Sequence, residues 1–223
     1  MNHAMVQRLI YKDWYFNRFA ITAYVAAGLL SLVALALGGE AGFYAGSILL
    51  ITVLVAVGAH MAMIAVTERR DQTLAFVMTL PISTLEYTTA KIVGNLMIFF
   101  AAWTTLLVGT VAVIAGRQAL PDGLIPFAIV VLFQLFAGYC LMLSVALVSE
   151  SQGWTIGALV LGNLLLNGVI FAVSNAPGVG ANMKSDSIVW SQPIVGVLWA
   201  EVAAILFLLG LTFYLQTRKT DFL

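Results

Sequence analysis

The chain has 223 residues, 62% hydrophobic and 9% charged, with a mean hydropathy of +1.03 and a formal net charge of zero. A soluble domain carries about a quarter charged residues, so this composition excludes one and reads as an integral membrane protein. The neutral balance argues against a nucleic-acid partner, and the single cysteine, Cys140, leaves no intrachain disulfide and no cysteine metal cluster.

The segment 4–18 is basic and aromatic, with Tyr11, Trp14 and Tyr15 beside Arg8, Lys12 and Arg18. This pattern predicts an interfacial helix lying at headgroup level ahead of the first span. No signal peptide is expected, because these residues are mixed in charge and the apolar run behind them exceeds a typical h-region. Six spans follow, at about 20–38, 42–66, 84–115, 124–148, 153–173 and 194–216. Each is long enough to cross roughly 30 Å of hydrocarbon as a helix. A spanning β-barrel is excluded, since its strands would alternate apolar and polar residues. Ser174-Asn175-Ala176-Pro177-Gly178 breaks the apolar pattern and opens a loop over 174–193. The expected fold is therefore all-α: one transmembrane domain over 1–223, with an interfacial helix and six spans.

Loop charges set the expected orientation. With the N-terminus inside, Arg8, Lys12, Arg18, Arg69, Arg70, Lys91, Arg218 and Lys219 lie on the inner face, and only Arg117 and Lys184 lie on the outer one. This positive-inside bias puts both termini in the cytoplasm, together with the stretch between spans two and three.

That stretch, Glu68 to Lys91, holds six of the twenty Asp, Glu, Lys and Arg residues. Asp71 suits the N-cap of a short helix over Gln72 to Leu80, with Leu74, Val77 and Met78 on one face. Pro81 disfavours helical geometry at Leu80 and stops it. Ser83-Thr84-Leu85-Glu86 then forms a capping box that starts the third helix near Thr84. Such a helix, running to about Ala115, is roughly 48 Å long at 1.5 Å per residue, well beyond the bilayer's need. An ordinary capped re-entry loop is the plainer alternative on local physics alone.

The order Glu68, Thr73-Leu74, Leu80-Pro81-Ile82-Ser83, Tyr87 and Lys91 resembles the cytoplasmic loop of type-2 ABC-transporter permeases. The resemblance implies an N-terminal interfacial helix, six spans with both termini inside, and a short cytoplasmic coupling helix between spans two and three. It also implies an exporter built on a dimer of permease copies, in a bacterial-type inner membrane. Each copy would dock a separate cytoplasmic P-loop ATPase, and ATP and Mg would be bound there. The implied ATPase contacts are Glu68, Thr73, Leu74, Val77, Met78, Leu80 and Pro81, within the coupling segment 68–83. The chain contains no G-x-x-x-x-G-K-[ST] phosphate loop, so no ATP hydrolysis and no cofactor is expected in it.

A few polar groups fall inside the apolar spans. Glu201 lies seven residues into the sixth, about 10 Å from its outer end. A charge at mid-membrane costs about 3 kcal/mol, so Glu201 is expected to face protein or a water-filled cavity. It reads either as a pathway contact or as a structural hydrogen-bonding group. Asn163 and Asn167 share a face of span five at i and i+4, as pathway lining, a subunit interface or simple packing. His60 and Met63 share a face of span two, but two residues are too few for a metal site and none is expected. With only His3 and His60 and no nucleophile motif, an intramembrane enzyme has little support. One buried acid and no evident internal repeat likewise count against an ion-driven carrier.

Overall fold

Among the described residues, six helices of the computed structural model are long and apolar enough to cross a bilayer. The structure describes residues 3–37, 39–70, 84–117 and 120–218. In chain order the helices are α1 (His3–Leu37), α2 (Gly39–Arg70), α3 (Thr84–Gly116), α4 (Leu124–Ser149), α5 (Gln152–Ser174), α6 (Val179–Asn182) and α7 (Gln192–Thr217). The protein is an all-α, multi-pass membrane protein.

One element differs from the sequence expectation. The segment 4–18 is not a separate helix; it is the first part of α1, which continues unbroken to Leu37. The reason is local, because the first glycine is Gly28 and no proline precedes it. At the other end of the chain, the 174–193 stretch carries the single-turn helix α6. Gly178 opens it with φ +79°, a left-handed conformation that glycine takes without strain. Val179 of α6 packs with Val130 of α4, Val173 of α5 and Ile194 of α7, pinning the loop onto the helix ends.

In hydrocarbon, helices associate through close packing rather than through exclusion from water, so small residues mark the contacts. Gly42 and Gly46 of α2 form a G-x-x-x-G pair against α1. A β-carbon on Gly46 would stand 2.7 Å from the Leu35 backbone nitrogen and 2.8 Å from the Ser31 carbonyl oxygen. α4 and α5 form a hairpin that crosses at Gly138 and Gly162, where a β-carbon on Gly162 would lie 3.6 Å from the Gly138 Cα. Glu150, in left-handed conformation at φ 55°, ends α4 just before α5 begins. α1 and α3 run parallel, and α4 lies centrally against α2, α5 and α7.

Aromatic side chains fill the α3–α4 seam. The Phe99 and Tyr139 rings stack at 3.8 Å, and Trp103 meets Phe133 edge-on at 5.0 Å. The Trp103 indole N–H donates to the Leu132 carbonyl at 2.7 Å, so its one polar atom is satisfied at depth. Of the five tryptophans, Trp14 and Trp154 are exposed near one end of the bundle, and Trp190 and Trp199 toward the other. These positions fit two interfacial belts.

Replacing Gly46 with valine should force α1 and α2 apart, because backbone atoms block the new side chain. The expected loss is about 1–3 kcal/mol, read as a lowered unfolding temperature in detergent. Gly210→Val, at a site open to its surroundings, should stay close to wild type.

Candidate coupling end and membrane interior

The end of the bundle where α2 finishes and α3 starts is organised by a buried ion pair. The Lys91 Nζ lies 2.8 Å from the Asp13 Oδ2, with the two side chains 4% and 5% exposed. Asp13 is on α1 and Lys91 on α3, so the pair joins helices 78 residues apart in sequence. Its surroundings are ordered. Asn17 donates to the Asp13 carbonyl at 2.8 Å, and Asn95 donates to the Lys91 carbonyl at 2.9 Å. Lys12 Nζ approaches the other Asp13 oxygen at 3.4 Å. A β-carbon on Gly94 would come 3.4 Å from Ile10, which shows how closely the two helices approach beside the pair. Lys91 is seven residues into α3, about 10 Å along it.

Of the residues that the resemblance implicates in ATPase contact, Glu68 alone is among the described residues. Thr73, Leu74, Val77, Met78, Leu80 and Pro81 lie outside the described residues, as do Asp71 and Ser83. Glu68 belongs to the last turn of α2.

The interior residues are scattered over the bundle and form no single site. Asn163 lines a water-sized cavity of about 30 Å³ with Gln134, Tyr139 and the glycines Gly58, Gly138 and Gly162. The cavity sits between α2, α4 and α5. The Tyr139 hydroxyl there has no hydrogen-bond partner among the described residues. Asn163 donates to its own helix at Leu159, and Asn167 does the same to Asn163, so neither amide nitrogen bridges to a neighbouring helix. Asn167 is exposed on the outward face of α5. His60 packs beside Tyr24 with ring centroids 5.7 Å apart, and its Nε2 has no partner among the described residues.

Glu201 is 4% exposed, on the face of α7 that also buries Ile194, Ile205, Thr212 and Gln216. That face packs on α4, where Gln216 donates to the Leu147 carbonyl and Ser144 reaches the Leu208 carbonyl. Neither carboxylate oxygen of Glu201 has a hydrogen-bond partner among the described residues. Toward the end opposite the ion pair, an apolar chamber of about 240 Å³ opens between α2, α3 and α4, bordered by Met183 of the 174–193 loop.

A helical bundle of this layout is compatible with several transport folds, and comparison with known families decides among them. The family model for the ABC-2 type transporter matches residues 5–183, from the first turn of α1 through α6. The chain belongs to the ABC-2 type transporter family. It is therefore the membrane permease of an ABC transporter, a transport component that associates with an ATPase partner and with the membrane. No curated protein and no solved structure matches the chain.

Three features of this ABC-2 permease were missed at the sequence level. Asp13 and Lys91 carried no mark as a pair, because pairing across helices is a property of the fold. Arg117 was counted only as a loop charge, whereas it donates to the Leu35 carbonyl at 3.0 Å and caps the C-terminus of α1. The Gly42-x-x-x-Gly46 spacing was the one legible signal, a small-residue contact motif inside an apolar run.

Lys91→Met would leave the buried Asp13 with only Lys12, 3.4 Å from its other oxygen, and should cost about 3 kcal/mol. Asp13→Asn combined with Lys91→Met should recover much of that loss. Unfolding temperatures of the two single variants and the double variant form the cycle; purely additive losses would show that the two side chains do not interact.

Proposed function

We propose that this ABC-2 permease is the membrane subunit of an ATP-driven exporter. In this reading two permease copies form the translocation pathway, and each couples through its 68–83 segment to a cytoplasmic P-loop ATPase that binds ATP and Mg. The observation that carries the reading is the geometry around that segment. α2 and α3 are 32 and 33 residues long, close to 50 Å each and well beyond the roughly 30 Å of hydrocarbon. Their ends flank the coupling segment, and α3 is fastened to α1 through Asp13–Lys91 within its first third. A push on the segment would thus move α1 and α3 as one body.

The bias of basic residues supports placing the coupling end and both termini in the cytoplasm, with the chain in a bacterial-type inner membrane. Leu74, Val77 and Met78 are assigned as the apolar docking face, with Glu68, Thr73, Leu80 and Pro81 around it. The outward face of α5 supports the second permease copy. There the Asn167 side chain is exposed; its nitrogen donates to the Asn163 carbonyl, and an opposing helix would offer its amide oxygen a partner that lipid does not. Asn163 and Glu201 remain assigned to the interior of one copy, as pathway or packing groups.

The chain should be purified with Leu74→Glu and Met78→Glu combined. Its abundance in the membrane should match wild type, while the ATP hydrolysis that co-purifies with it should fall at least tenfold, on the order of the loss expected from burying two unpaired charges in an interface. Unchanged hydrolysis would rule out this docking face. Light scattering on the wild-type complex should give a mass with two permease chains; a single chain would rule out the dimer.

A further inference from the structure

The unbroken α1 creates a feature that a separate interfacial helix would not. Between its first turns and α3 lies an open cleft of about 650 Å³. Its walls are apolar, with Ile10, Ile21 and Val25 of α1 opposite Met97, Ile98 and Ala101 of α3. Tyr11 and Trp14 border it near the start of α1, and both are exposed. Arg8 and Lys12 adjoin it on the same turns of α1 as Gln7 and Tyr11.

Among the described residues, two basic side chains stand at the mouth of the cleft. Arg8 is exposed, and Lys12 is 35% exposed. The acid of this turn, Asp13, faces inward onto Lys91 at 2.8 Å, with Lys12 3.4 Å from its outer oxygen. The cleft therefore combines an apolar slot, an aromatic pair near the start of α1 and two basic side chains beside them, the pattern expected where acyl chains meet headgroups.

We propose that this cleft is a binding site for one anionic phospholipid, with an acyl chain between α1 and α3 and the phosphate at Arg8 and Lys12. A second copy of this chain suits the site less well, because a two-fold contact here would set the same basic side chains against each other. The bound lipid would fill the seam directly below the Asp13–Lys91 pair and brace α1 against α3. The inference uses only the membrane setting of the chain and is independent of ATPase coupling.

Native mass spectrometry tests it on the purified full chain, after reconstitution in vesicles of equal phosphatidylglycerol and phosphatidylcholine and gentle re-extraction. Wild type should retain phosphatidylglycerol over phosphatidylcholine by on the order of tenfold, from two basic contacts. Arg8→Gln with Lys12→Gln should abolish the preference while some phospholipid stays bound. Ala101→Trp, which fills the slot from an exposed position, should remove the bound lipid of both kinds; Tyr11 and Trp14 stay in place as a control on the fold of α1. Equal retention of the two lipids by wild type would overturn the proposal, as would a preference that survives both variants. A disulfide between two copies carrying Met97→Cys would equally overturn it, by placing a second chain in the cleft.

Discussion

A backbone amide left unpaired in hydrocarbon costs several kcal/mol, and the architecture of this chain follows from that constraint. Each long described element is a helix, which satisfies its own amides along its length. Only the helix ends need outside partners, and the fold supplies them. Arg117 caps the last turn of α1, and the α4–α5 connection is held to two residues, with Glu150 N–H bonding back to Ala146. What remains is to hold apolar rods together in an apolar solvent. Glycine contacts at Gly42, Gly46, Gly138 and Gly162 do this through close approach, and the Phe99, Trp103, Phe136 and Tyr139 rings do it through stacking.

Polar groups are few, so each one found at depth marks where sequence was spent against the solvent. They fall into two kinds. Some are satisfied and structural: Trp103 on Leu132, Gln216 on Leu147, and Asp13 on Lys91. Others are buried without a partner among the described residues: Glu201, His60 Nε2 and the Tyr139 hydroxyl. The satisfied ion pair has the clearest mechanical meaning. It sits seven residues into α3 and ties that helix to α1. The three unpartnered groups named here lie on α7, α2 and α4.

Much of the fold was legible in the sequence. Six apolar runs divided by charges and turn residues specify six spans, because the bilayer's thickness and its intolerance of bare backbone leave few other solutions. The family was legible from the Glu68–Lys91 order, since that segment departs from an otherwise uniform apolar composition. Continuity of α1 was hidden by an aromatic, basic segment that looks interfacial; the absence of any breaker before Gly28 was the signal against a separate helix. Rotational setting was not legible either. These helices are apolar nearly all round, so periodicity does not say which face meets which neighbour. That is why Lys91 reads as a loop charge with no visible partner in Asp13, and why Asn163 and Asn167 could not be divided between a cavity wall and an outward face.

The central claim is that the chain transmits work done by a separate ATPase. Its most direct test is purification of the tagged chain from its native membrane in mild detergent, with the bound proteins identified by mass spectrometry. The account predicts a P-loop ATPase in one-to-one ratio with the chain. A folded, monodisperse chain that carries no ATPase would contradict it.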